Sequence, residues 1–169
     1  MKISDSVVKL KGIGTKTAEL FAKLRVNTID EETVIKMKTG SKWSAIQWLI
    51  SPSAAYKGFV LGLTTAGKLF TYISSNGKSW NIASNKVSST ALKLNTEYYV
   101  KFTFDGEKYE LSHSTDNTTW TADFTIKNVN PVSNDGIYRI GVSYSDKTPW
   151  LGRVDLNGSY IKVNNSIFW

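Results

Sequence analysis

The sequence predicts a mainly β protein: an antiparallel β-sandwich of the jelly-roll kind, with a short helical segment ahead of it. Three observations carry this. Between Thr96 and Thr115, Tyr98, Val100, Phe102 and Phe104 alternate with Tyr99, Lys101, Thr103 and Asp105, which is the period of a strand with one buried face. Asp105-Gly106 then tolerates a left-handed backbone, and Tyr109, Leu111 and His113 alternate with Lys108, Glu110 and Ser112 beyond it, so the stretch reads as a hairpin. From Thr33 onward such runs recur at short intervals with no helical pattern between them, whereas the first thirty-odd residues follow a helical period.

Composition bounds the function. Hydrophobic residues make up 41% of the 169 and charged residues 21%, ordinary values for a globular chain with one good core. Six Trp, eight Tyr and seven Phe suit pleated sheets. With no cysteine, disulfides and thiolate metal sites are excluded, and no oxidising compartment is needed. The opening MKISDSVVKLKG lacks the apolar core of a signal peptide, and no run approaches a membrane span, so synthesis and folding in a cytoplasm are expected, with no membrane partner. The net charge of +7 divides unevenly: residues 1–32 hold six basic against five acidic side chains, and residues 33–169 hold fifteen against nine. Spread singly along strands and turns, the surplus reads as a solvated surface rather than a phosphate-tracking stripe.

The N-terminal elements come first. Ser4 or Asp5 can cap a short helix bearing Val7, Val8 and Leu10; Gly12 and Gly14 interrupt it. Thr15 can cap a second helix with Ala18, Phe21, Ala22 and Leu24 on one stripe, and Thr28-Ile29-Asp30-Glu31 has capping-box form. At Thr33 the pattern switches to period two, which places a boundary near Glu31 and Glu32: a helical segment over 1–31 and a sandwich over 32–169. Helix, Leu10-Lys11-Gly12-Ile13-Gly14, helix is the helix-hairpin-helix arrangement, and residues 2–31 resemble the opening of the bacterial branch-migration DNA helicase. That family continues with a pair of leucines after the position of Asp30, where this chain has Glu31 and Glu32, and no nucleotide-binding glycine loop follows. The resemblance implies sequence-independent binding of the DNA backbone, with amides around Gly12, Ile13 and Gly14 facing a phosphate and Lys11 and Lys16 adding attraction. Against it stands a purely structural role, the hairpin covering one end or edge of the sandwich.

Strands are expected over Thr33–Thr39, Ile46–Ile50, Gly58–Thr64, Leu69–Ser74, Tyr98–Phe104, Tyr109–His113, Gly136–Ser143, Leu151–Asp155 and Tyr160–Val163. One internal echo stands out: Ser74-Ser75-Asn76-Gly77-Lys78-Ser79-Trp80 matches Ser114-Thr115-Asp116-Asn117-Thr118-Thr119-Trp120, forty residues on. It resembles the Asp-box turn of sialidases and many β-sandwiches, which implies a structural role, the Asx side chain tying the turn and the Trp packing beneath it.

With Ile35–Gly40, Thr96–Lys101, Phe104-Asp105-Gly106, Leu151-Gly152-Arg153-Val154-Asp155-Leu156 and Tyr160–Asn164 in place, residues 32–169 resemble the laminin-G/concanavalin-like jelly rolls of bacteriophage tail and other virion proteins. In that family a strand-bearing segment precedes the position of Thr33; here the helical hairpin stands in its place, so the chain reads as a graft. The resemblance implies a non-enzymatic binding or structural module, with a surface glycan or another virion protein as partner, a virion location, and room for a homo-oligomer. DNA-backbone binding and a recombinant or engineered chimera with no joint function are the two alternatives.

Catalytic chemistry finds little support. No Glu-x-Asp-x-Glu run supplies the paired carboxylates of a glycoside hydrolase, and Asp105-Gly106-Glu107 is a turn. The single histidine, His113, shares a face with Tyr109 and Leu111 and reads as packed. Oxygen ligands for calcium exist at Asp116-Asn117, Asn134-Asp135 and Asp146, but at no specific spacing, so neither metal nor cofactor is assigned. Glycan binding needs an aromatic platform with polar neighbours. Trp43 and Trp150 are the candidates, since both fall in expected loops beside Lys42-Ser44 and Lys147-Thr148, whereas Trp48, Trp80 and Trp120 read as core or turn packing.

Overall fold

A computed structural model describes residues 19–20, 31–127, 138–163 and 166–167. Among these described residues, twelve strands form two six-stranded antiparallel sheets. They are β1 (Glu19–Leu20), β2 (Glu31–Lys38), β3 (Gln47–Pro52), β4 (Phe59–Leu63), β5 (Lys68–Ile73), β6 (Ala83–Ala91), β7 (Glu97–Phe104), β8 (Tyr109–Ser114), β9 (Thr121–Ile126), β10 (Tyr138–Ile140), β11 (Arg153–Val163) and β12 (Ser166–Ile167). One sheet has the order β1-β10-β3-β4-β5-β6, the other β12-β11-β2-β7-β8-β9. The chain leaves β2, builds the β3–β6 meander in the opposite sheet, returns for the β7–β9 meander, crosses for β10 and closes with β11 beside β2. Edge strands β6 and β9 draw together along one side.

The core lies between the sheets, where Ile35, Met37, Val100, Phe102 and Leu111 face Leu49, Leu61, Leu63, Leu69 and Ile73. Inside it Phe102 stacks on Tyr109 at 4.8 Å, and Phe59 tilts against both Phe102 and Tyr138. Alternation therefore places these residues as expected. The β7–β8 hairpin also forms. Asp105 Oδ1 accepts the amides of Glu107 (3.0 Å) and Lys108 (2.9 Å), and Gly106 takes the left-handed conformation, φ 94°.

Several expectations are corrected. Strands β6 and β9 were not foreseen, because ASNKVSSTA and TADFTI lack clean apolar alternation; both are edges whose ladder comes from one neighbour. The two expected strands at 151–155 and 160–163 are one strand, β11, carried through an irregularity between Asp155 and Tyr160. Ser159 bridges it, its Oγ accepting the Lys36 amide (2.9 Å) and donating to the Asp155 carbonyl (2.7 Å). Of the segment expected as helix-hairpin-helix, Glu19 and Leu20 form a strand paired with Arg139 and Tyr138, not a helical turn. The remaining residues of 1–30, Lys11, Gly12, Ile13, Gly14 and Lys16 among them, lie outside the described residues.

Candidate functional site

Trp43 and Trp150 form no exposed platform. Trp150 is 9% exposed and part of the main core, its amide bonded to the Gly141 carbonyl at 2.8 Å. Trp43 is half-buried against the same core, its ring laid on Gly67, where a Cβ would fall 2.7 Å from Cε2. Gly67 has φ +71° and Gly152 borders the Trp150 indole, so each ring occupies space that a glycine leaves open.

The aromatic surface lies elsewhere. Along β3, β4 and β5, Trp48, Val60, Phe70 and Tyr72 alternate with Leu49, Leu61, Leu69 and Ile73, so they stand on the outer face of that sheet. Trp48 pairs with Gly62, Gly62 with Phe70 and Phe70 with Val87, which makes one row across four strands. Gly62 is required there: a Cβ would sit 2.6 Å from the Phe70 ring and against the Gln47 carbonyl. The second row sets Val60 beside Tyr72.

Loops extend these rows into a belt. Tyr144, after β10, meets Trp48 edge-on at 5.3 Å; Trp48 meets Tyr72 at 6.1 Å; Tyr72 meets Trp80 at 5.9 Å; and Trp80 meets Tyr56 at 5.2 Å. Phe70, 1% exposed, lies beneath, and Trp48 is 8% exposed, while Tyr56, Tyr72, Trp80 and Tyr144 are half-buried and reach solvent. Burial and then the neighbouring Tyr144 raise the Tyr72 hydroxyl above its ordinary range, so it stays protonated and can donate. On the flank, Arg139 is paired with Asp146 at 2.6 Å.

The internal echo positions one end of the belt. In the first turn Asn76 Oδ1 accepts the amides of Lys78 (2.8 Å) and Ser79 (3.0 Å), and Ser74 Oγ accepts that of Gly77 (3.0 Å), which delivers Trp80 onto the outer face. The second turn repeats the pattern with Asp116 Oδ1 and the amides of Thr118 (2.8 Å) and Thr119 (2.7 Å). Its Trp120 lies beneath the Lys101 ammonium, 4.0 Å from the ring. Trp48 is buried in a core cluster and Trp80 packs half-buried against it, in keeping with their reading as packing; that this cluster covers an outer face is not read from the sequence. The missed signal is KLFTYI in β5, apolar on both faces, where a sandwich strand ordinarily turns polar residues outward.

The remaining polar candidates are committed elsewhere. His113 Nδ1 is 2.8 Å from Asp123 Oδ2, with side chains 11% and 2% exposed, and the imidazole packs edge-on to Tyr98. Ser114, the adjacent hydroxyl, donates to Asp116 at 2.8 Å and so is no nucleophile for that pair. Asp116 binds its own turn and Asp146 its arginine; Asn134-Asp135 lies outside the described residues. Among the described residues no cluster of His, Asp and Glu could hold a metal, and no helix is long and apolar enough to cross a membrane.

No protein-family model matches the chain, and no curated protein sequence matches it. Solved structures do. The LG1-3 region of the laminin α2 chain aligns with a TM-score of 0.61 at 11% identity, over 90% of this chain and 30% of that one. The fold is a laminin-G-like jelly roll. The sialidase CBM40 domain of Ruminococcus gnavus, solved with α2,3 sialyllactose bound, aligns at 0.55 and 14% identity over 91% of both chains. A heptameric SAP-like pentraxin of Limulus polyphemus aligns at 0.54 and 15% identity, over 92% of this chain and 75% of that one. These likenesses concern the fold.

Proposed function

We propose that this chain is a non-catalytic carbohydrate-binding module whose site is the aromatic belt on the outer face of the β3–β6 sheet. The belt itself carries the proposal. Rings from Tyr144 through Trp48, Tyr72 and Trp80 to Tyr56 run unbroken across a face that solvent would otherwise make polar. The rim combines apolar faces with three phenol hydroxyls and an indole N–H, which suits the alternating C–H faces and hydroxyls of a sugar. Structural kinship with CBM40 domains solved with sialyllactose supports this reading. A virion setting rests on the resemblance of residues 32–169, and DNA binding on Lys11 to Lys16; both are separate from the belt.

A glycan array probed with the full chain tests it. Hits are expected, with Trp80→Ala and Tyr144→Ala each weakening them roughly tenfold while the melting temperature moves little, as for half-buried rings at the end of a stack. An empty array, or hits indifferent to both substitutions, would remove the belt as the site.

A further inference from the structure

The belt sits on a sheet with an unusual charge. Residues 39–96, which form β3 to β6 and their connections, hold six lysines and no aspartate, glutamate or arginine. Residues 97–169 hold seven basic against nine acidic side chains, so the positive surplus of the whole chain is concentrated on the belt's own meander. What alternation along the sequence presents as diffuse, the fold gathers. Lys57 follows Tyr56, Lys78 stands two residues before Trp80, and Lys68 shares the outer face with Phe70 and Tyr72. The flanking carboxylate of Asp146 is taken by Arg139.

We infer that the belt's ligand is a linear carboxylated polysaccharide, a polyuronate-type chain, rather than a neutral glycan or a single terminal acidic sugar. The inference rests on the belt being the site. A lone carboxylate is best held by an arginine fork, and residues 39–96 contain no arginine, while Arg139 already has its carboxylate. Lysines are point charges on flexible stems, and three of them along an elongated row of rings match a charge repeated along the ligand. A sulfated chain would replace with sulfate the hydroxyls that the tyrosine hydroxyls and indole N–H address. Nucleic acid needs open ring faces for its bases. Here the rings of Phe70, Tyr72 and Tyr144 meet Trp48 at interplanar angles of 78°, 71° and 79°, so its surroundings are edge-to-face rather than a stack of open plates.

The test is titration calorimetry of the full chain with polygalacturonate and with its methyl ester, the same backbone without the charge. Polygalacturonate is expected to bind roughly tenfold tighter at low ionic strength, the gap closing toward about 1 M salt, where screening acts within about 3 Å. Lys57→Gln with Lys78→Gln should lower the polygalacturonate affinity by roughly three- to tenfold at a nearly unchanged melting temperature, since both side chains are exposed. Equal affinity for acid and ester overturns the inference while leaving the belt as a glycan site. Binding of neither, with an empty array, overturns both. Tighter binding of dextran sulfate, of oligo(dT) or of sialyllactose overturns it in favour of a sulfated chain, a single-stranded nucleic acid or a terminal acidic sugar.

Discussion

Asn76 and Asp116 do the same work with different charge. Each accepts two backbone amides two and three residues ahead, so Asn76→Ala should cost about 1–2 kcal/mol, read by denaturant unfolding. The Asp116 carboxyl carries a further signature. The amides of Thr119 and Thr118, then the Ser114 hydroxyl, hold it well below the ordinary value of 3.8. A native value below the unfolded one means that the folded chain binds fewer protons. The stabilisation is thus complete above the ordinary value and fades as pH falls below it. Asp116→Asn, copying the first turn, should flatten this acid limb of the stability profile and lower the melting temperature at pH 7 somewhat, since the contribution of the ionised carboxylate is lost there. An acid limb as steep as the parent's would assign it to other carboxylates, such as Asp105 and Asp155, which are also held low.

At the scale of elements, β3 to β5 must serve two faces. Gly62 is the point where that requirement becomes steric, because its missing Cβ is the space filled by the Phe70 ring. Gly62→Ala should destabilise by about 1–3 kcal/mol and displace the belt, so stability and glycan binding fall together. An unchanged denaturation midpoint would show that Phe70 can step aside. What was legible beforehand follows from how local each signal is. The β7–β8 hairpin and the two echoing turns are written within seven to twenty residues, by alternation and Asx chemistry, and were readable. Edge strands β6 and β9 take their extended form from β5 and β8, whose positions sequence periodicity does not encode. The belt is hidden from sequence periodicity for the same reason. Trp43 and Trp150 sit in loops, but Gly67 and the turn at Gly141 fold those loops inward, while Trp48, Tyr72, Trp80 and Tyr144 converge from four separate elements.

The whole molecule is a sandwich with unlike outer faces. The β3–β6 meander carries lysines without carboxylates, whereas the other sheet ties its carboxylates across strands, Asp155 to Lys36 at 3.0 Å and Glu32 to the Tyr160 hydroxyl at 2.7 Å. Burial and that Glu32 contact push the Tyr160 hydroxyl up to about 12, so it stays a donor across the neutral range. Between these strands, β2 and β11 run antiparallel from Glu31 beside Val163 to Lys38 beside Arg153. Their outer ends therefore lie together, which gives the module a mechanical character. Tension applied between Glu31 and Val163 would load this ladder one pair at a time, peeling it open like a zip, rather than shearing all its hydrogen bonds at once. A pull between Lys38 and Val163, at opposite ends of the same ladder, would shear it. Single-molecule stretching from those two pairs of anchor points should give a low rupture force for the first and a distinctly higher one for the second. A module that holds its ligand against flow would keep its grip only along the second direction.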